Sequence, residues 1–216
     1  MATRSIDKKN EAPIRQPPPS EPVLPTTVQP TKQDVEKLVE GCLNNDRRSQ
    51  QRVYEAYYGK MLAVCLRYDK DLDSAKELLQ EAFIKVFANI DRYKHDGSFE
   101  GWIRRIVVNN AIDAFRRKKH DLIVPEDDFM INNFSEDPVE FDEEDDEVLN
   151  PKDVLEAMDQ LSPAYRMVFN MYIMEEMQHK EIAEQLGISV GTSKSNLAKA
   201  RVNIRKILRN QYSYKF

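Results

Sequence analysis

The stretch QHKEIAEQLGISVGTSKSNLAKARVNIRKILR, Gln178 to Arg209, decides how the C-terminal part of this chain folds. Ile182, Ala183 and Leu186 fall on one helical face, Gly187 permits a left-handed turn, and Ser189 can cap a second helix beginning near Val190. Helix, glycine turn and capped second helix together make a helix-turn-helix. In the second helix Leu197, Ala200, Ile204 and Leu208 form a stripe for burial, and Ser193 extends it one turn toward the N-terminus. The opposite side carries Thr192, Ser195, Lys199, Asn203 and Lys206. From Gly187 to the end there are seven Lys/Arg and no Asp/Glu. A solvated helix face normally mixes signs, so this charge points to a polyanion, with small hydroxyls and a Lys suited to a groove and later cations to phosphates.

The net charge of −5 is at odds with a polyanionic partner until it is divided along the chain. Thirteen Asp/Glu and no Lys/Arg lie between His120 and Asn150, and setting them aside leaves 24 acidic against 32 basic residues. The acid is one local block, read as a flexible linker, and the remainder is basic. Among the first 30 residues, Pro13, Pro17, Pro18, Pro19, Pro22, Pro25 and Pro30 leave little that could form a core, which predicts a disordered arm. No apolar run of membrane-spanning length and no secretory h-region is present, so a cytoplasmic protein is expected. Cys42 and Cys65 sit in apolar-periodic segments and read as buried, reduced thiols. His95, His120 and His179 are too scattered to build a metal site, and no cofactor motif occurs.

Upstream, Thr31 can cap a helix running to about Asn44, and a second helical pattern runs from about Arg48 to Tyr68. Asp71 or Asp73 opens a third, in which Leu78, Leu79, Ala82, Phe83, Val86 and Phe87 recur at three and four. The loop Asp91 to Ser98 leads into FEGWIRRIVVNNAIDAFRRKK, expected helical despite Gly101. Its Arg105, Asn109 and Arg116 share a stripe, with Asp113 at the margin and the lone Trp102 near the start. A basic face with an aromatic entrance and amides along it suits single-stranded DNA, because aromatics stack on unpaired bases while Arg holds phosphate. Phe99 and Ile106 read as core, and Asp113 can simply pair with Arg116 or Arg117 at helical spacing. Asn150–Pro151 and Ser162–Pro163 open two further helices, Lys152 to Gln160 and Ala164 to about Met174. No strand pattern occurs, so the expected class is all-α, two small helical domains on a flexible acidic tether.

Four blocks, DLDSAKELLQEAFIKVF, FEGWIRRIVVNNAIDAFRRKK, LSPAYRMVF and EIAEQLGISVGTSKSNLAKAR, resemble in order and spacing the sigma factors of bacterial RNA polymerase, in the extracytoplasmic-function class of the sigma-70 family. The resemblance implies a division into the arm 1–30, sigma region 2 over 31–119, a linker over 120–150 and sigma region 4 over 151–216. It places Asp73, Leu79, Gln80, Glu81 and Phe83 at positions that dock on the core polymerase. It puts a flipped base of the promoter −10 strand in the loop from Tyr93 through Lys94 and His95 to Ser98, with Trp102, Arg105, Asn109, Asn110, Asp113 and Arg116 along the strand. Thr192, Lys194, Ser195, Lys199 and Arg201 fall at −35 duplex contacts, with Arg205 on phosphates. Ser193 departs from the family pattern, since an apolar residue usually packs there; a hydroxyl can satisfy itself on a preceding carbonyl. The implied partners are bacterial core RNA polymerase and promoter DNA, with an anti-sigma factor as a further candidate, and neither a membrane nor a small-molecule substrate.

A polymerase-independent repressor or activator would explain the helix-turn-helix but not the Trp-Arg-Asn stripe, and operator readers are usually symmetric dimers. A nucleic-acid-processing enzyme would need carboxylates fixed beside a base, and the acidic residues instead crowd the tether.

Overall fold

A computed structural model describes residues 30–121 and 150–214, with the side chains of 119–121 left aside. The expectations for the proline-rich arm and for most of the acidic tether lie outside the described residues.

Local capping chemistry sets most of the boundaries. Helix α1, Lys32–Leu43, starts at Thr31, whose hydroxyl accepts from the Asp34 N–H while the Asp34 carboxylate accepts from the Thr31 N–H. Helix α2, Arg47–Tyr68, is capped by Asp46, and α3, Leu72–Ala88, by Asp71. A short 3₁₀ turn, Ile90–Arg92, precedes the loop into α4, Phe99–Asp121. Gly101 sits in the first turn of α4, where its N–H donates to the Ser98 hydroxyl at 3.0 Å. A Cβ there would come within 2.9 Å of that hydroxyl, so a glycine fits where the propensity is poor. Helices α5, Pro151–Met158, and α6, Pro163–Phe169, begin with proline behind the caps Asn150 and Ser162. Helix α7, His179–Leu186, ends on Gly187 at φ 62°, and α8, Val190–Tyr212, begins at the Ser189 cap.

Helices α1 to α4 enclose one core, built on Val53, Tyr57, Met61 and Cys65 of α2, Leu79, Phe83 and Val86 of α3, and Ile103 and Val107 of α4. Helices α5 to α8 pack around Met158, Val168, Met171, Ile182, Leu197, Ala200, Ile204 and Leu208, and the buried apolar side chains of the two groups join in one continuous cluster. Arg166, buried among α5 to α8, donates to the Met158 and Asp159 carbonyls at 3.1 and 2.7 Å and so satisfies the C-terminal end of α5. Both cysteines are free and buried, and burial pushes their thiols up to about 11 for Cys42 and about 12 for Cys65, which keeps them unreactive. Among the described residues no strand occurs, and no helix is long and apolar enough to cross a membrane.

The run after Phe169 departs from the expected continuous helix, because Asn170–Met174 forms a π turn. That extra residue per turn re-aims the chain where the two helical groups meet. Fully buried Asn170 donates to the carbonyl of Arg67 at the end of α2, and Glu175 accepts from Arg67 at 3.4 Å and Arg104 at 3.0 Å. Arg104 also donates to the Met174 carbonyl at 2.9 Å.

Candidate nucleic-acid interface

The helix-turn-helix forms as its sequence predicts. Its hinge is fixed twice: Gly187 takes the left-handed conformation, and the Ser189 hydroxyl accepts from the Thr192 N–H at 2.9 Å. On α8, Lys194, Ser195 and Lys199 are exposed together near the N-terminal half, where the helix dipole adds partial positive charge. Thr192 is half-buried, its hydroxyl 2.8 Å from that of Ser189, and Arg205 is half-buried further along. Arg201 is also half-buried, its guanidinium 5.8 Å from the centre of the Tyr172 ring.

Ser193 does not use a carbonyl for its hydroxyl, contrary to expectation. It is fully buried and shares a 2.9 Å hydrogen bond with His179 Nδ1 from the preceding helix. The His179 ring in turn stacks on Tyr172, centroids 4.6 Å apart. A polar pair thus replaces apolar packing between the two helices of the motif. Burial, then Lys194 and Arg201, hold the His179 pKa below the usual imidazole value of 6.5. Since the folded pKa is depressed, the unfolded chain takes the proton more readily. The contribution is therefore complete above about pH 6.5 and is lost as pH falls below it. Thermal melting of the full chain between neutral pH and about pH 5 should show a small acid decline that His179→Gln removes.

At the other end, the loop before α4 is held open by local geometry. His95 and Gly97 both take positive φ, 60° and 87°, and the Tyr93 hydroxyl donates to the Gly97 carbonyl at 3.2 Å. Lys94, His95 and Ser98 are exposed around it. Tyr93 itself is buried, so it supports the loop from beneath and does not line its mouth. Trp102 is half-buried, nearly parallel to Phe99 with centroids 5.8 Å apart, and Tyr93 flanks it at 5.5 Å. Along α4, Arg105, Asn109 and Arg116 are exposed on one face. Asp113 at the edge is bound to Arg116 and lies 3.6 Å from Lys85, so its carboxylate orders the neighbouring cations. Phe99 is core, as read, whereas Ile106 is half-buried.

Asn110 requires a correction. It is 1% exposed, and its amide donates to the Leu78 carbonyl at 3.0 Å and to Glu81 at 3.4 Å. It ties α4 to α3 and does not line a strand. Leu79 and Phe83 require the same correction, since both lie inside the first core at 0% and 3% exposure. The outward face of α3 carries Asp73, Gln80 and, missed in the sequence, Ile84, which is 69% exposed. These three recur at seven and four, one stripe on the helix, with Glu81 beside it bonded to Arg117 at 3.3 Å. The signal was present: Ile84 falls off the period that buries Ala75, Leu79, Ala82, Phe83 and Val86.

An all-helical chain with two cation-bearing faces, one on a helix-turn-helix and one beside an aromatic loop, is a DNA-reading protein with two heads. Residues 53–120 match sigma-70 region 2 and residues 152–204 match sigma-70 region 4. The chain is 27% identical over 182 residues to the extracytoplasmic-function RNA polymerase sigma factor SigW of Bacillus subtilis, covering 82% of this chain and 97% of that one. It is 31% identical over 164 residues to SigE of Mycolicibacterium smegmatis, covering 75% of this chain and 59% of that protein. The sigma factor RpoE of Bartonella quintana, solved with the anti-sigma factor NepR, is 19% identical at a TM-score of 0.43, covering 74% of this chain and 97% of that one. The chain belongs to the sigma-70 family, in its extracytoplasmic-function class, and directs core RNA polymerase to promoters. Sigma factors are transcription initiation factors, and nothing favours a regulator that works without polymerase.

Proposed function

We propose that the division of labour follows the two heads: region 2 over 31–119 holds polymerase and the −10 strand, and region 4 over 151–216 reads the −35 duplex. The protein acts without catalysing a reaction of its own, in the cytoplasm, and class membership makes an anti-sigma factor a further candidate partner. Asp73, Gln80 and Glu81, joined by Ile84, form the polymerase-facing surface of α3. Lys94, His95, Ser98, Trp102, Arg105, Asn109 and Arg116 receive the displaced strand, with Asp113 ordering Arg116. Thr192, Lys194, Ser195, Lys199 and Arg201 face the major groove, and Arg205 the phosphates. Leu79, Phe83, Tyr93 and Asn110 support these surfaces from within.

The observation that carries this reading is the pair of exposed cation-bearing faces, Arg105–Asn109–Arg116 on α4 and Lys194–Ser195–Lys199 on α8, each within a segment matched to a sigma region. The purified chain is expected to bind promoter duplex weakly by itself and specifically with core polymerase, read by run-off transcription and footprinting. Lys199→Ala or Arg201→Ala should weaken −35-dependent initiation by about 1–3 kcal/mol, a factor of roughly 5 to 150. Specific duplex binding by the chain alone, unchanged on adding core, would overturn the reading.

A further inference from the structure

Arg201 stands apart from Lys194 and Lys199 on α8. Those two are exposed, whereas the half-buried Arg201 has its guanidinium 5.8 Å from the centre of the Tyr172 ring, within reach of a cation–π contact. No Asp or Glu occurs from Gly187 to the end of the chain, so α8 offers Arg201 no carboxylate to fold back on. The contact that orders it is an aromatic face, which attracts the cation without neutralising it and leaves its N–H donors for a ligand.

The ring is itself fixed. Tyr172 belongs to the π turn Asn170–Met174, a rare form of helix that concentrates at functional sites. The His179 imidazole stacks on it, with centroids 4.6 Å apart and planes 24° from parallel. His179 Nδ1 shares a 2.9 Å hydrogen bond with the Ser193 hydroxyl, and Ser193 is fully buried in α8. The contacts therefore leave α8 at Ser193, pass through His179 and Tyr172, and return to α8 at Arg201, about 12 Å further along at a rise of about 1.5 Å per residue. Burial, then Lys194 and Arg201, hold the His179 pKa below its ordinary 6.5, so at neutral pH the imidazole sets no opposing charge beside the guanidinium.

Such a placement matters for recognition. A long arginine side chain loses rotamer freedom when it binds, and one already placed over a ring loses less. Pre-placement also fixes which duplex atoms the planar fork of donors can reach.

We propose that Tyr172 is a positioning residue for promoter recognition: its ring presents the Arg201 guanidinium to the −35 duplex, and the His179–Ser193 pair holds that ring in place. The placement stands on the contacts alone, while its consequence rests on the functional reading above, in which Arg201 meets the −35 element.

Two measurements test it. In NMR spectra of the full free chain, the ring current of Tyr172 should displace the Arg201 Nε–H proton upfield, and Tyr172→Leu should return that resonance toward the position of an exposed arginine. In polymerase holoenzyme, Tyr172→Leu should weaken binding to a −35-dependent promoter by about 3- to 30-fold, the range of a cation–π contact from partly to fully desolvated, and leave the maximal rate of promoter opening unchanged. Tyr172→Phe, which keeps the aromatic face, should stay within about twofold of wild type, and His179→Ala should fall between the two. In an Arg201→Ala background Tyr172→Leu should cost nothing further, whereas in a Lys199→Ala background its full loss should add. A ring that only supported the fold would cost the same in both backgrounds. An unmoved Arg201 resonance in Tyr172→Leu, or an undiminished Tyr172→Leu loss in the Arg201→Ala background, overturns the proposal. An Arg201 resonance that depends on Tyr172, in a protein whose promoter binding Arg201→Ala leaves unimpaired, overturns the assignment of Arg201 to the duplex and leaves the positioning of its side chain standing.

Discussion

Replacing Ile84 by Glu is expected to lower affinity for core polymerase by roughly 30-fold or more while leaving the melting temperature of the chain almost unchanged. Ile84 is 69% exposed, so the substitution removes little buried area and meets solvent. It also stands on one stripe with Asp73 and Gln80, an apolar centre within a polar rim, which is the make-up of a contact that contributes about 2 kcal/mol or more on docking. Leu79→Ala should behave in the opposite way. Leu79 is fully buried, and its truncation leaves a cavity between α3 and its neighbours that costs about 2–5 kcal/mol of stability. Polymerase binding by the fraction still folded should stay close to wild type. Surface-immobilised core enzyme gives the affinities, and calorimetry of the full chain gives the stabilities. If Leu79→Ala melted normally yet failed to bind, while Ile84→Glu bound normally, the outward and inward faces of α3 would be misassigned.

That contrast shows where sequence reasoning reached and where it stopped. Helix boundaries were legible because their causes are local: the Thr31, Asn150, Ser162 and Ser189 caps act on N–H groups within three residues, and Gly187 alone sets its turn. The periodicity also separated the inner and outer faces of α3. The error lay in giving Leu79 and Phe83 two roles, since a residue that completes the core stripe is unavailable to a partner. Asn110 misled for a different reason. An amide within a basic helix suggests a base contact, but its partner, the Leu78 carbonyl, lies 32 residues earlier and leaves no mark nearby. Distance along the chain also hid the Asn170–Arg67 contact, and nothing in NMYIM distinguishes a π turn from α-helix. Ser193 was recognised as anomalous, yet its partner His179 comes from the helix before the turn, so only the folded motif pairs them.

Trp102→Ala is expected to slow promoter opening on native duplex by about 5- to 150-fold, with −35 binding preserved. The indole is half-buried, one side against Phe99 and the edge near Tyr93, which holds the ring at the head of the Arg105–Asn109–Arg116 face. A ring fixed in this way loses little entropy on accepting an unpaired base, and stacking of that kind is worth about 1–3 kcal/mol per base. Its loss matters most where strand separation must still be driven, because unstacking and unpairing cost a few kcal/mol. On a template already mismatched across the −10 element that cost is absent, so the Trp102→Ala defect should shrink. Trp102→Phe, which keeps an aromatic face, should fall between the two. Lys199→Ala acts on duplex upstream of the melted segment, and its defect should be the same on both templates. Fluorescence of 2-aminopurine placed in the −10 strand follows the opening step directly. A Trp102→Ala defect as large on the mismatched template as on native duplex would mean that the indole only braces the fold, and that the displaced strand is gripped by the exposed Arg and Asn side chains of α4.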